Sequence, residues 1–169
     1  MQFFHSIALA ATCFSLASAA PLKPARQAQG YYKIVNNCEA RIWYNKVGEE
    51  GVLIENGFIE PGTTTYGGYG ADKDGISVKL SFEENSSTPY QFETTVSQDT
   101  NQVFYDLSAI NGDDFKDYEN GVWPLDGSGP TVWCPAGNDD CAYLYPDDNS
   151  KTHAADLSAV LEMGICKPA

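Results

Sequence analysis

The chain has 169 residues and a formal net charge of −13, because 23 Asp and Glu residues stand against 10 Lys and Arg. So acidic a surface repels nucleic acid and anionic lipid, which excludes both as partners and leaves neutral or cationic ones. No segment reaches the roughly 20 consecutive apolar residues of a membrane-spanning helix, so no membrane insertion is expected.

The N-terminal segment has the pattern of a secretory signal. Residues 3–16 form a short apolar run, and Ala17-Ser18-Ala19 has the small-x-small form that signal peptidase accepts. We therefore predict a signal peptide over residues 1–19, a disordered leader over 20–30, and one domain over 31–169. The protein is expected to be extracellular. The sequon Asn85-Ser86-Ser87 then predicts an exposed, glycosylated loop.

The cysteines predict two disulfides. Removal of the signal leaves Cys38, Cys134, Cys141 and Cys166, and four cysteines in a secreted domain allow three connectivities. The short polar turn between Cys134 and Cys141 favours local pairing, which leaves Cys38 for Cys166. A zinc site is disfavoured by the spacing and by an oxidising compartment. Neither a metal nor a cofactor is indicated.

Strand patterns dominate the chain. Short β-rich runs between Gly, Pro and Asn turns predict strands over residues 32–36, 40–46, 52–60, 63–67, 77–83, 90–96 and 102–108. Residues 112–149 are interpreted as acidic loops. Residues 159–166 are interpreted as a strand, since pairing of their end with Cys38 favours strand over helix. The fold class is therefore all-β, a sandwich or flattened barrel.

Register can be derived for one hairpin. The apolar positions of residues 90–96 and 103–107 face one core only if even positions oppose odd ones, and the shortest sensible loop, residues 98–101, then sets Val96 opposite Val103. Glu93 then lies opposite Asp106, on the face away from the core. Directly opposed side chains have Cβ atoms about 4.5–5.5 Å apart, so at least one of the two carboxyls should have a raised pKa.

Two interpretations of this carboxylate pair stay open. Carboxyl groups about 5 Å apart suit a retaining glycosidase, in which one is the acid and the other the nucleophile. Alternatively the side chains splay into water, or Lys79 or another cation neutralises them. Trp43, in a strand, is expected in the core. Trp123 and Trp133, in loops beside the acidic region, could stack on sugar rings.

Three blocks of sequence resemble the thaumatin-like family. They are residues 34–38 (IVNNC) followed by 41–43 (RIW), residues 104–112 (FYDLSAING), and residues 142–148 (AYLYPDD) followed by Thr152 and Cys166. The short, cysteine-poor chain resembles the small secreted fungal branch of antigenic or yeast-phase-specific thaumatin-like proteins. The resemblance implies a flattened β-sandwich with long acidic loops and a disulfide from first to last strand.

The family's acidic cleft is associated with β-1,3-glucan binding and sometimes weak hydrolysis. By motif position, the resemblance implies that Glu93 and Asp106 belong to this cleft and that Asp147 or Asp148 supplies a further carboxylate. The chain departs from the family pattern at Asn111, where an Asp is expected. The cleft Arg is also missing, since residues 67–81 contain no Arg. Asp113 is the candidate replacement for the lost charge.

These departures affect hydrolysis more than binding, because catalysis tolerates less misplacement of its groups. We therefore predict a secreted monomer, either free or associated with the cell wall, that binds polysaccharide of the β-1,3-glucan type without efficient catalysis. The first alternative is a weak endo-β-1,3-glucanase that uses Glu93 and Asp106. The second is an effector, antigen or adhesin whose partner is an extracellular protein.

Overall fold

The computed structural model describes residues 28–138, 140–144 and 149–167, so the predicted signal peptide and most of the predicted leader lie outside it. The described residues form eleven strands and two short 3-10 helices, Glu49–Gly51 and Asn149–Lys151. The strands are β1 (Tyr31–Asn36), β2 (Ile42–Val47), β3 (Leu53–Ile59), β4 (Thr64–Gly68), β5 (Gly75–Ser81), β6 (Tyr90–Ser97), β7 (Gln102–Ser108), β8 (Glu119–Pro124), β9 (Val132–Cys134), β10 (His153–Asp156) and β11 (Val160–Lys167).

The strands build two sheets. One has six strands in the order β10-β7-β6-β5-β2-β3, and the other has five in the order β4-β1-β11-β8-β9. The pairing of β1 with β11 is parallel, whereas the other strand neighbours pair antiparallel. The predicted all-β sandwich is confirmed. No helix among the described residues is long and apolar enough to span a membrane.

Alternating residues of both sheets supply the core. Leu80, Phe92 and Leu107 point inward from the six-stranded sheet, and Ile34 and Met163 from the five-stranded one; all are fully buried. Each such side chain contributes roughly 1.5–3 kcal/mol on leaving water. The two layers meet directly, since the Tyr32 ring of β1 lies edge-on to Phe92 of β6 with centroids 5.4 Å apart. The opposite faces of both sheets are left for solvent or ligand.

Both predicted disulfides are confirmed. Cys38–Cys166 joins the end of β1 to the end of β11 across 128 residues, and Cys134–Cys141 closes a short turn after β9. Buried asparagines hold the long bridge on both sides. The Cys38 amide donates to Oδ1 of Asn36 at 2.9 Å, and the Cys166 amide donates to Oδ1 of Asn120 at 3.2 Å.

The interpretation of residues 112–149 as loops was wrong in part, since β8 and β9 lie there. Gly121 and Pro124 within β8 interrupt the alternation that marks a strand. Gly121 is there for space: a Cβ at this position would lie 2.8 Å from Cε3 of Trp133. Trp123 and Trp133 are therefore strand residues of the five-stranded sheet, whereas the Glu93 hairpin belongs to the six-stranded one. The four-residue strand β10 was not predicted.

The prediction that Trp43 lies in the core was also wrong. Ile42 fills the inward position of β2 and is fully buried, so Trp43 points outward from the six-stranded sheet. The indole is half-buried against Phe58 of β3, with ring centroids 5.5 Å apart. A lone aromatic in a strand is equally compatible with either face, and only register decides.

Candidate functional site

The hairpin of β6 and β7 has the predicted register. Val96 is paired with Val103, and Glu93 is paired with Asp106. The turn between the strands occupies residues 98–101, and Asn101 adopts the left-handed conformation (φ 56°) that Asn tolerates better than most residues. Because Phe92 and Leu107 point into the core, the two carboxylates share the outward face of the six-stranded sheet.

The environment of Asp106 raises its pKa to about 7. Burial is the largest cause, followed by the nearby charge of Glu93. A hydrogen bond from the Thr152 hydroxyl opposes the shift. Burial and the charge of Glu93 outweigh it, so Asp106 keeps its proton up to about pH 7.

Glu93 and Asp106 lie on the floor of an open cleft of about 480 Å³. One side is formed by Gly48 and Glu49, in the connection from β2 to β3. The other side is formed by three residues of different loops and turns: Ile110, Tyr143 and Thr152. The described residues that line the cleft include no Lys, Arg or His. The cleft is therefore acidic and suits a neutral or cationic ligand.

A polar ladder continues the floor beside the carboxylates. The Ser77 hydroxyl donates to Oε1 of Gln91 at 3.1 Å, and Nε2 of Gln91 donates to the Ser108 hydroxyl at 3.4 Å. Gln91 is only 3% exposed, so these bonds fix the orientation of its amide. The outward face of the sheet thus presents ordered hydrogen-bonding groups.

Sequence comparison gives the family of the chain. Residues 19–167 match the family described as Bys1, Blastomyces yeast-phase-specific protein. The chain belongs to this family. The antigenic thaumatin-like protein of Arthroderma benhamiae is 30% identical over 168 residues, which cover 96% of this chain and 84% of that protein. A thaumatin-like protein of Oryza sativa subsp. japonica is 38% identical over 65 residues, or 38% of this chain and 34% of that protein.

Solved structures of other proteins share the fold of this Bys1-family chain. The protein elicitor MoHrip2 from Magnaporthe oryzae superposes with a TM-score of 0.70 at 21% identity, over 82% of this chain and 99% of that one. The thaumatin-like xylanase inhibitor TLXI superposes with a TM-score of 0.56 at 12% identity, over 80% of this chain and 99% of that one. The thaumatin-like fold that the sequence blocks indicated is confirmed.

Of the other residues of this Bys1-family protein that were assigned to the cleft from sequence, the two that the structure describes, Asn111 and Asp113, line separate depressions. Asn111 lines a neighbouring depression of about 260 Å³ together with Asn45 and Lys79. Oδ1 of Asp113 accepts the Phe115 amide at 2.7 Å and so closes a turn, and Asp113 faces a third depression. Asp147 and Asp148 lie outside the described residues.

Lys79 is not positioned to neutralise the Glu93–Asp106 carboxylate pair. Its partner on β6 is Gln91, whereas the partner of Glu93 on β5 is Ser77. The single Arg among the described residues, Arg41, lies at the far edge of the sheet beside Glu60 and Phe58. Lys79 therefore borders the neighbouring depression, and the cleft keeps its acidic character.

Of the described residues that line the cleft, the sequence predicted only Glu93 and Asp106 and missed the residues that form its sides. Tyr143 and Thr152 were noted only as parts of a motif; the Tyr143 backbone extends the edge of β7 through bonds to Leu107 and Ala109 of 2.6 and 2.8 Å. Glu49 gave no signal at all. Its position depends on a 3-10 turn in which Glu50 takes a φ of 55°, and nothing local points that turn toward β6.

Proposed function

We propose that the protein is secreted and binds neutral cell-wall polysaccharide of the β-1,3-glucan type in the cleft above Glu93 and Asp106. The observation that carries this proposal is the directly opposed carboxyl pair on the cleft floor, with the Asp106 pKa raised to about 7. At the mildly acidic pH of many cell walls, such a pair both donates and accepts hydrogen bonds. Sugar hydroxyls need both.

The polar groups of the floor support a hydroxyl-rich ligand. Oδ1 of Asp106 is buried and has no hydrogen-bond partner among the described residues. A buried polar atom without a partner costs about 1–3 kcal/mol, so a ligand hydroxyl that reaches it recovers that free energy. The absence of cations from the described lining disfavours a phosphate or a uronic acid as the ligand.

Binding without hydrolysis fits the geometry best. In a retaining glycosidase the two carboxyls stand roughly 5 Å apart on either side of the scissile bond. Glu93 and Asp106 instead project from directly opposed positions on neighbouring strands to the same side of the sheet. Side chains held side by side in this way do not flank a glycosidic bond from its two sides.

A second candidate is an extracellular protein-interaction module. Strand β3 lies at the edge of the six-stranded sheet, and its start is strongly exposed: Val52 by 63%, Leu53 by 55% and Ile54 by 55%. An open edge with apolar side chains can pair with an extended segment of another protein. The names of the structural neighbours, a protein elicitor and a xylanase inhibitor, agree with this candidate.

Retention on insoluble β-1,3-glucan and on chitin tests the leading proposal. Wild type should be retained on the glucan, and Glu93→Gln and Asp106→Asn should each weaken retention by about tenfold, or about 1.4 kcal/mol. Glu39→Gln is the matched control, since Glu39 is exposed and outside the cleft. Equal retention of all four proteins would exclude the cleft as the binding site.

Hydrolysis is assayed in parallel. Reducing ends released from laminarin should stay at background for wild type and also for Asn111→Asp, because Asn111 does not line the cleft. Activity gained in Asn111→Asp would instead indicate a disabled catalytic site. Secretion and glycosylation are tested by expression in a fungal host, where Asn85→Gln should remove one glycan; Asn85 is exposed.

A further inference from the structure

The outward face of the five-stranded sheet carries aromatic rings where a solvated sheet face normally carries polar side chains. Tyr66 is 63% exposed, Tyr31 44% and Trp133 36%, and Trp123 is partly buried beside them. We call these four residues the aromatic platform. They lie on β1, β4, β8 and β9, in the sheet that does not contain Glu93 and Asp106.

A continuous row crosses this face. Tyr66 of β4 is paired with Lys33 of β1, Lys33 with Glu162 of β11, and Glu162 with Trp123 of β8. The next residues in β1 and β11, Ile34 and Met163, are fully buried, so the row points away from the core. With strands about 4.8 Å apart, Tyr66 and Trp123 stand roughly 14 Å apart. That span accommodates several sugar residues.

Glycines keep the indoles close to the sheet. A Cβ on Gly121 would lie 2.8 Å from Trp133, and a Cβ on Gly164 would lie 3.1 Å from Trp123. The Lys167 ammonium bridges the two rings, 3.9 Å from the Trp123 centroid and 5.1 Å from that of Trp133. The two indoles are therefore fixed before any ligand arrives, which lowers the entropic cost of binding.

Charges on this face balance. Lys33 forms an ion pair with Glu162 at 2.5 Å, and Lys167 is paired across the strands with Glu119. Two lysines thus match two glutamates, although the whole chain carries −13. A locally neutral face gives no preference to a cationic partner and suits a neutral one.

We propose that the aromatic platform is a second polysaccharide-binding surface, which takes a neutral glycan chain lying across β4, β1, β11, β8 and β9. A pyranose ring has an apolar C–H face that stacks on an aromatic ring and a hydroxyl edge that hydrogen-bonds. Tyr66, Tyr31 and Trp133 supply exposed rings, and Lys33, Glu162 and Lys167 supply donors and acceptors between them. This inference rests on the proposed function for the class of ligand but not for the site.

Retention on insoluble β-1,3-glucan, cellulose and chitin tests the platform. Tyr66→Ala and Trp133→Ala should each weaken retention on at least one of the three by about tenfold. Tyr118→Ala is the matched control, because Tyr118 is 43% exposed and packs on Phe82, away from the platform. Loss in Tyr118→Ala equal to that in Tyr66→Ala would overturn the assignment. Tyr66 is so exposed that its substitution decides the question even if Trp133→Ala fails to fold.

Tryptophan fluorescence gives an independent readout. The chain has three Trp residues, and Trp43 lies on the other sheet. In Trp43→Phe, emission comes only from Trp123 and Trp133, and soluble oligosaccharides of the retained polymer should shift or quench it. An unchanged emission at oligosaccharide concentrations that saturate binding would overturn the platform.

Retention of the variants distinguishes the cleft from the platform. Loss of retention in Glu93→Gln, with Tyr66→Ala and Trp133→Ala like wild type, refutes the platform and leaves the cleft. Loss in the platform variants alone supports the platform and refutes the cleft. Partial loss in both sets supports both surfaces. A wild-type protein retained on none of the three polymers refutes both.

Discussion

The Thr152 hydroxyl donates a long hydrogen bond of 3.4 Å to Oδ2 of Asp106, so a residue just before β10 acts on a carboxyl of β7. This bond favours the charged form of Asp106, against burial and the charge of Glu93. Thr152→Val should therefore raise the pKa of Asp106 above 7, and Thr152→Ser should leave it near the wild-type value. Carbon-13 NMR titration of the Asp106 carboxyl measures both.

In the same titration, Glu93→Gln is a control that should shift the Asp106 pKa in the opposite direction. It removes the repulsion that is the second cause of the shift and leaves burial, the first cause, in place. The Asp106 pKa should fall, yet stay above its ordinary value of 3.8. A fall in Thr152→Val, or a rise in Glu93→Gln, would contradict the electrostatic account of the pair.

The raised pKa of Asp106 also makes stability depend on pH. Native Asp106 keeps its proton up to about pH 7, while in the unfolded chain it loses the proton near 3.8. Between these values the native state binds more protons, so its free energy of unfolding falls as pH rises and levels off above 7. At about 1.4 kcal/mol per pKa unit, the full loss is at most about 4 kcal/mol.

Asp106→Asn removes this ionisation. Urea unfolding at pH 4 and pH 8 should show that the variant gains stability relative to wild type as pH rises, by up to about 4 kcal/mol. Asp156→Asn serves as the exposed control and should show no such change. A relative gain toward low pH would have the wrong sign and would exclude a buried, protonated Asp106.

The register of the Glu93–Asp106 pair was predictable because it follows from local sequence. Alternating apolar residues fix which face is buried, and a four-residue loop leaves one pairing that buries both sets. The two disulfides were predictable for a similar reason, since one pair of cysteines is close in sequence and the other pair then follows by exclusion. Where a short-range rule decides, the sequence suffices.

The rest of the site depends on contacts between distant segments. Glu49 reaches the cleft through a turn after β2, and Thr152 reaches Asp106 from a segment 46 residues further along the chain. No periodicity encodes either approach. Strand β8 was not predicted because it contains Gly121, and glycine in a sequence usually indicates a loop. Here glycine is needed because a Cβ at this position would clash with the Trp133 ring.

Loss of the long disulfide should cost more stability than loss of the short one. In the chain-entropy model, closing a loop of 128 residues is worth about 5 kcal/mol and closing one of 7 residues about 2.5 kcal/mol. Cys38→Ser with Cys166→Ser, compared with Cys134→Ser with Cys141→Ser, tests this by urea unfolding. An equal or larger loss in the second double variant would show that enthalpy, not loop closure, dominates.

Asn36 should be among the costliest single positions to change. It is fully buried, its Nδ2 donates to the Ile59 and Ala40 carbonyls at 2.8 and 2.9 Å, and its Oδ1 accepts the Cys38 amide at 2.9 Å. Asn36→Ala leaves these backbone groups without their partner, at about 1–3 kcal/mol for each one that stays buried. We expect a loss of roughly 3–5 kcal/mol in urea unfolding.

Asn56→Ala is the matched control, since Asn56 lies exposed on β3 and should change stability by about 0.5 kcal/mol or less. Asn36→Asp tests the acceptor and the donor bonds of the amide separately. The variant keeps an oxygen that accepts the Cys38 amide, but it loses both hydrogen bonds from Nδ2. It also buries a charge at neutral pH. It should be less stable than Asn36→Ala at pH 7 and recover at pH 4, where protonation restores a neutral side chain with one donor. A loss below 1 kcal/mol in Asn36→Ala would mean that water replaces the amide and that Asn36 does not hold β1, β3 and the long disulfide together.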